Sequence, residues 1–156
     1  RGFAACGPTD AVVLTNSDVG FTPGMSRDLR RLLACKGACY CYRRDFNTAL
    51  NILPSRYQVL SSAHFGGLDL FAFTKKWWND HWEEAPDMLL GCTHWDLVYR
   101  DLIKKYAGGE LYAGIWHENH PSHWATIPRG PGNMYNMNLS NLWYTTNDSS
   151  QPYKSV

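Results

Sequence analysis

Four short polar clusters punctuate this chain in order: Asn16-Ser17-Asp18, His64-Phe65-Gly66-Gly67-Leu68-Asp69, His94-Trp95-Asp96 and His117-Glu118-Asn119-His120. The first offers a carboxylate and an amide, hard oxygen donors suited to Mg²⁺ or Mn²⁺ that leave coordination positions for other ligands. The last supplies His117 and His120, with His123 three residues on, and neutral imidazoles so close can converge on a metal. Both groups also have plain structural readings. Asn, Ser and Asp are ordinary turn residues, and loop histidines beside Trp116 and Trp124 can be packed polar tips.

Asp96 is open to two readings. Thr93-His94-Trp95-Asp96 resembles a helix-start capping box, with Asp where Glu or Gln is usual. Alternatively Asp96, in the first turn of a helix, is a general base that removes a proton from an acceptor hydroxyl, tuned by burial or by His94. Asp69 and Asp87 compete for that role. The chain has seven tryptophans, and indole faces are platforms for the apolar faces of sugar rings. One or two of Trp77, Trp78, Trp82 and Trp124 are expected to line a pocket, Trp77 and Trp124 foremost. Gly66-Gly67 marks a place where the backbone bends or another group approaches closely.

The elements that must hold these residues can be read from period and punctuation. Ala11 to Leu14 is an apolar run that delivers Asp18 to the carboxyl end of a strand. Leu29, Leu32 and Leu33 give Ser26 to Ala34 a helical spacing, and Ala38 to Tyr42, Tyr57 to Ser61, Leu68 to Phe73 and Leu111 to Trp116 read as strands. Thr74 can cap a short helix carrying Trp77 and Trp78. The clearest helix places Trp95, Val98, Tyr99, Leu102, Ile103 and Tyr106 on one face, closed by Gly108-Gly109. From His117 onward no period of 2 or 3.6 persists, and the tail reads as ordered loop around a site.

Bulk properties bound the answer. A chain of 156 residues, 44% hydrophobic and 19% charged, buries the core of one domain. Its net charge of +1 creates no broad field for nucleic acid or anionic membrane. No apolar stretch approaches the roughly 18–20 residues needed to span a bilayer. Five cysteines at spacings that match no zinc module read as buried thiols, with a disulfide unsupported. Asn138-Leu139-Ser140 and Asn147-Asp148-Ser149 are glycosylation acceptors if the protein is secretory, so the compartment stays open between cytoplasm and secretory lumen.

Taken in order, the clusters resemble the catalytic half of GT-A-fold glycosyltransferases that use nucleotide-sugar donors. The resemblance spans roughly residues 11 to 124 and rests on the order and spacing of short motifs. Asn16-Ser17-Asp18 is similar to the acidic strand-end motif that holds Mn²⁺ or Mg²⁺ on the donor diphosphate, with Asn16 in place of its first acid. Phe65 to Asp69 resembles the glycine-bearing strand beside the donor sugar, and Pro86 to Asp96 the segment that carries the acceptor base. His117, with His120 as substitute, matches a final metal-binding His.

The resemblance therefore implies an α/β fold, a mixed sheet flanked by helices with a loop-rich C-terminal segment. It implies transfer of a sugar from a nucleotide-diphosphate donor to a carbohydrate or glycoconjugate hydroxyl, with Asp96 as base. Asn16, Gly66, Gly67, Asp69, Trp77 and Trp124 would contact donor or acceptor, and Asp18, His117 and His120 the Mn²⁺ or Mg²⁺. Family members place about 100 residues of nucleotide-binding structure before the acidic motif, the size of a mononucleotide-binding half; here 15 residues precede Asn16. Residues 1–156 are thus expected to form a single domain that corresponds to the C-terminal part of a larger one, or a shortened relative. Two rivals stand beside this expectation. One is a non-catalytic carbohydrate-binding or interaction module indifferent to metal; the other is a hydrolase built on His117, His120 and His123.

Overall fold

The computed structural model describes Gly7 and residues 10–46, 67–111, 114–118 and 130–147. The expected strand at Tyr57 to Ser61 lies outside these residues, as do Gly66, His120 and Trp124. Twelve elements follow one another: β1 (Ala11–Thr15), β2 (Val19–Phe21), α1 (Met25–Lys36), β3 (Ala38–Tyr42), β4 (Arg44–Phe46), β5 (Leu68–Thr74), α2 (Lys75–His81), a 3₁₀ turn (Trp82–Glu84), α3 (Trp95–Lys105), β6 (Gly109–Leu111), β7 (Ile115–Glu118) and α4 (Pro131–Asn147).

They build a mixed α/β architecture on two sheets. The larger has strand order β1-β5-β3-β6, antiparallel except for the parallel β3–β6 pair. The smaller has order β2-β7-β4. The expected strand at Leu111 to Trp116 is in fact two strands, β6 and β7, that belong to different sheets. Gly114, at φ 133°, makes the break between them, in a region of backbone space that a side chain would strain.

The period of two along β5 decides what each face carries. Phe71 and Phe73 point to one face and share a buried core with Trp95, Val98, Leu102 and Ile103 of α3, Trp77 of α2 and Trp143 and Tyr144 of α4. Leu70 and Ala72 point to the other, with Cys39, Cys41, Ile115 and Met25 and Leu33 of α1. Asp69 has the parity of Phe71 and Phe73, so it lies on the α3 side at the start of the strand. On β1, Leu14 pairs with Phe71 and packs into the same core, which gives Asn16, two residues on, that side as well. Cys39 and Cys41 are fully buried free thiols, and burial pushes each thiol pKa up to about 12.

Local rules explain most helix limits. Thr74 Oγ1 accepts from Trp77 N at 3.2 Å, the cap read from sequence, and α1 closes through Gly37 N to Leu33 O at 2.8 Å, with Gly37 at φ 75°. The Thr93 capping box does not form. The residue before α3 is His94, at φ 73°, and it makes no side-chain cap bond. Thr93 is drawn off because its own amide donates to Asn133 Oδ1 at 3.0 Å.

The tail supplies the largest correction. Pro131–Asn147 is a helix of 17 residues, where a loop was expected. Its buried positions are Asn133, Asn136, Ser140, Trp143 and Tyr144. Those fall at i, i+3, i+7, i+10 and i+11, so the helical period is present but is written mainly in polar residues, which hydrophobic patterning overlooks. No helix among the described residues is long and apolar enough to cross a membrane.

Candidate functional site

A cavity of about 430 Å³ opens where β1, β3 and β5 meet the N-terminal end of α3. Asn16, Arg43, Gly67, Leu68 and Asp69 line one side; the loop Gly91-Cys92-Thr93-His94 and the first turn Trp95-Asp96-Leu97 line the other. Four residues singled out from sequence, Asn16, Gly67, Asp69 and Asp96, therefore share one cavity although they come from three separated stretches of chain.

Asp69 anchors the sheet side. Its carboxylate is nearly sealed, at 6% side-chain exposure. It accepts from Asn16 Nδ2 at 2.8 Å through Oδ1 and from an Arg43 guanidinium nitrogen at 3.0 Å through Oδ2. A carboxylate this buried requires such partners, and the pair explains why it stays in the wall. Main-chain bonds fix the same corner: Asn16 N donates to Asp69 O at 3.4 Å and Arg43 N to Gly67 O at 3.0 Å. Gly67 lets the Arg43 side chain lie against the backbone. A Cβ on it would sit 2.6 Å from Arg43 Nε, so the close approach expected at the glycine pair is that of the Arg43 side chain.

Removing that anchor has a predictable result. Asp69→Ala removes the carboxylate that accepts from both Arg43 and Asn16 and takes a charge partner from a partly buried guanidinium. The expected loss is about 2–4 kcal/mol, at the lower end because Arg43 retains some solvent. Calorimetry should show a melting point lower by roughly 5–10 °C; a change under about 1 °C would mean that the corner is not held by this pair.

Asp96 dominates the helix side. Burial raises its pKa above the ordinary carboxylate value and the charge of Asp69 adds to this, against bonds from the backbone N–H groups of Leu97 and of Asp96 itself and the nearby His94. Asp96 thus satisfies the start of α3 with its own carboxylate while lining the cavity. A carboxyl whose proton affinity is lifted toward neutral pH is a better base for a hydroxyl than an exposed one. The Thr93 hydroxyl, buried in the same wall, makes no hydrogen bond among the described residues.

A second cluster lies in the smaller sheet. His117, on β7 and 5% exposed, places Nε2 at 3.3 Å from Oδ2 of Asp18, in the loop that leads into β2. Two of the three candidate metal ligands, far apart in the chain, are thus in contact. The β2–β7 pairing sets this up, since Val19, next to Asp18, is the register partner of His117.

Trp77 does not join the site. It is 6% exposed and belongs to the core, stacked on Phe73 with ring centroids 5.4 Å apart. Its place in α2 turns it toward the sheet, which corrects its assignment as a sugar platform. Conversely, Arg43, Cys92, Asn133 and Asn136 were not singled out from sequence. Nothing in Tyr42-Arg43-Arg44 marks one arginine over the other until the β3–β5 register, with its irregularity between Cys41 and Tyr42, is known.

Comparison with protein-family models, with curated proteins and with solved structures finds no match for this chain.

Proposed function

We propose that this domain handles a sugar in the manner of a nucleotide-sugar-dependent glycosyltransferase, with the cavity receiving the reacting sugar and acceptor hydroxyl. The observation that carries the reading is the convergence of Asn16, Gly67, Asp69 and Asp96 on one cavity of about 430 Å³, within the usual size range of small-molecule sites. Its lining is suited to a polyol. Asn16, Thr93 and His94 offer hydrogen-bonding groups, Arg43 and Asp69 a fixed ion pair, and Trp95 an aromatic body.

In this reading Asp96 accepts the proton of the acceptor hydroxyl as that oxygen attacks the sugar carbon, and the donor's diphosphate departs. Asp69 keeps Asn16 and Arg43 in fixed orientation, so the cavity wall is set before the ligand arrives. Asp18 and His117 would hold the divalent ion. One imidazole and one carboxylate in contact suit Mn²⁺, which accepts nitrogen more readily than Mg²⁺, and such a two-ligand set leaves positions for phosphate oxygens. When bound, the ion would neutralise charge on the diphosphate.

The test is thermal unfolding with Mn²⁺, Mg²⁺ or Zn²⁺, each with and without nucleoside diphosphates, beside an Asp18→Ala variant. A ligand at about 100 times its dissociation constant adds about 2.7 kcal/mol, a shift of roughly 5–10 °C. The expected result is a shift that needs Mn²⁺ and a diphosphate together and disappears in Asp18→Ala. A shift with Zn²⁺ alone would favour the hydrolase, and sugar binding without any metal requirement would favour the carbohydrate-binding module.

A further inference from the structure

We infer that Asn136 is a positioning residue for the cavity: from α4 it fixes the loop that carries Gly91, Cys92 and Thr93, and through that loop the start of α3 where Asp96 sits. The inference rests on reading this cavity as the functional site, and is independent of which ligand enters it.

Asn136 is fully buried and makes three hydrogen bonds to one loop. Its Oδ1 accepts from Leu89 N at 2.9 Å, and its Nδ2 donates to Leu89 O at 2.8 Å and to Thr93 O at 3.0 Å. One side chain thus ties together both ends of a five-residue span. Asn133, one turn earlier, accepts from Thr93 N at 3.0 Å. The backbone groups of Leu89 and Thr93 receive from α4 the bonds that a strand or helix would otherwise give, because 85–94 contains no regular element.

Two further contacts bring the loop tight against the helix. A Cβ on Gly132 would sit 2.7 Å from the Cys92 sulfur, so only glycine lets Cys92 lie there, and Tyr135 OH donates to Asp87 O at 3.1 Å. A buried amide is costly unless its donors and acceptor are satisfied, and here all its named partners belong to a cavity-lining loop or its immediate approach. A helix that only needed to cover the core would be better served by an apolar residue at 136. The polar choice makes sense if the position of the loop is what is being specified.

The test uses two readouts on Asn136→Ala, neither of which needs a ligand. The first is the rate of Cys92 alkylation by iodoacetamide, followed cysteine by cysteine with peptide mass spectrometry. The second is the pH titration of the Asp96 carboxyl carbon by NMR, in the setting of its neighbours Asp69 and His94. The expected result is Cys92 alkylation roughly tenfold faster, as the loop opens locally. Cys39 and Cys41 should be unchanged, and the Asp96 midpoint should fall toward the ordinary carboxylate value as water reaches it. Unchanged Cys92 and Asp96 in a folded variant would overturn the inference. So would faster labelling of Cys39 and Cys41 in step with Cys92, because that reports loosening of the whole fold.

If Asn136→Ala does not fold, Asn136→Asp preserves the size and the acceptor toward Leu89 N–H, removes the two donated bonds, and is judged on the same two readouts. Failure of the metal and diphosphate test would leave these readouts intact, so the two readings can fall separately.

Discussion

If the domain transfers sugar as proposed, Asp96→Asn is expected to lower that transfer by about 10²–10⁴-fold, the usual worth of a positioned general base, while making the fold more stable at neutral pH. The two effects share one cause. Burial raises the proton affinity of Asp96, so the folded state holds its charged form at a cost that the unfolded state does not bear. That cost is absent below the unfolded carboxylate value of about 3.9 and grows as pH rises through the higher folded value. Asparagine removes it, keeping the shape. Denaturant unfolding at pH 8 should therefore favour the variant, and the gain should vanish near pH 3.5, below the unfolded value of about 3.9. A variant less stable than the parent at pH 8 would show that the helix start depends on the carboxylate's charge more than burial penalises it. Retained transfer would remove Asp96 as the base.

Phe71→Ala should cost about 3–5 kcal/mol, a large share of the 5–15 kcal/mol that holds a domain together. Phe71 is fully buried in the middle of the central strand β5, with its ring centroid 5.1 Å from that of Trp95 and 6.3 Å from that of Tyr99. Nothing beside it is loose enough to fill the space, because β3 lies on one flank and β1 on the other. Trp95 is the first residue of α3 and lines the cavity, so the void opens directly beneath the site. Calorimetry should record a melting point lower by roughly 6–20 °C. A fall of under about 3 °C would mean that α3 slides down to refill the gap. In that event the Asp96 titration should move.

What could be read in the sequence follows from how the protein uses its residues. α3 was legible because Trp95, Val98, Leu102 and Ile103 bury a conventional apolar stripe, and β5 because Leu68 to Phe73 is apolar on both faces. α4 was not, because three of its buried positions are Asn133, Asn136 and Ser140, and the two asparagines bond loop backbone that sequence cannot place. Asn16, Asp69 and Asp96 stood out as polar residues at strand ends and a helix start, positions that turns and caps also fill, and only the folded chain shows that they line one cavity. Trp77 was misjudged since an indole among polar neighbours suits a pocket as well as a core, and only the pitch of α2 over β5 decides between them. Arg43 was invisible for the opposite reason: its role is defined by a glycine and an aspartate more than twenty residues away.

Besides the step from β6 to β7, the chain passes from the larger sheet to the smaller through Asn16-Ser17-Asp18 between β1 and β2 and through Arg43 between β3 and β4. These last two crossings are tied to the single carboxylate of Asp69. The cavity and the Asp18–His117 pair are two ends of one short span: Asn16 lines the first and Asp18, two residues later, belongs to the second. Occupants of the two places would be thermodynamically linked. Whatever factor a cation at Asp18–His117 adds to affinity in the cavity, a molecule in the cavity must return to the cation, and cutting the tether at Asp69 should bring that factor toward one.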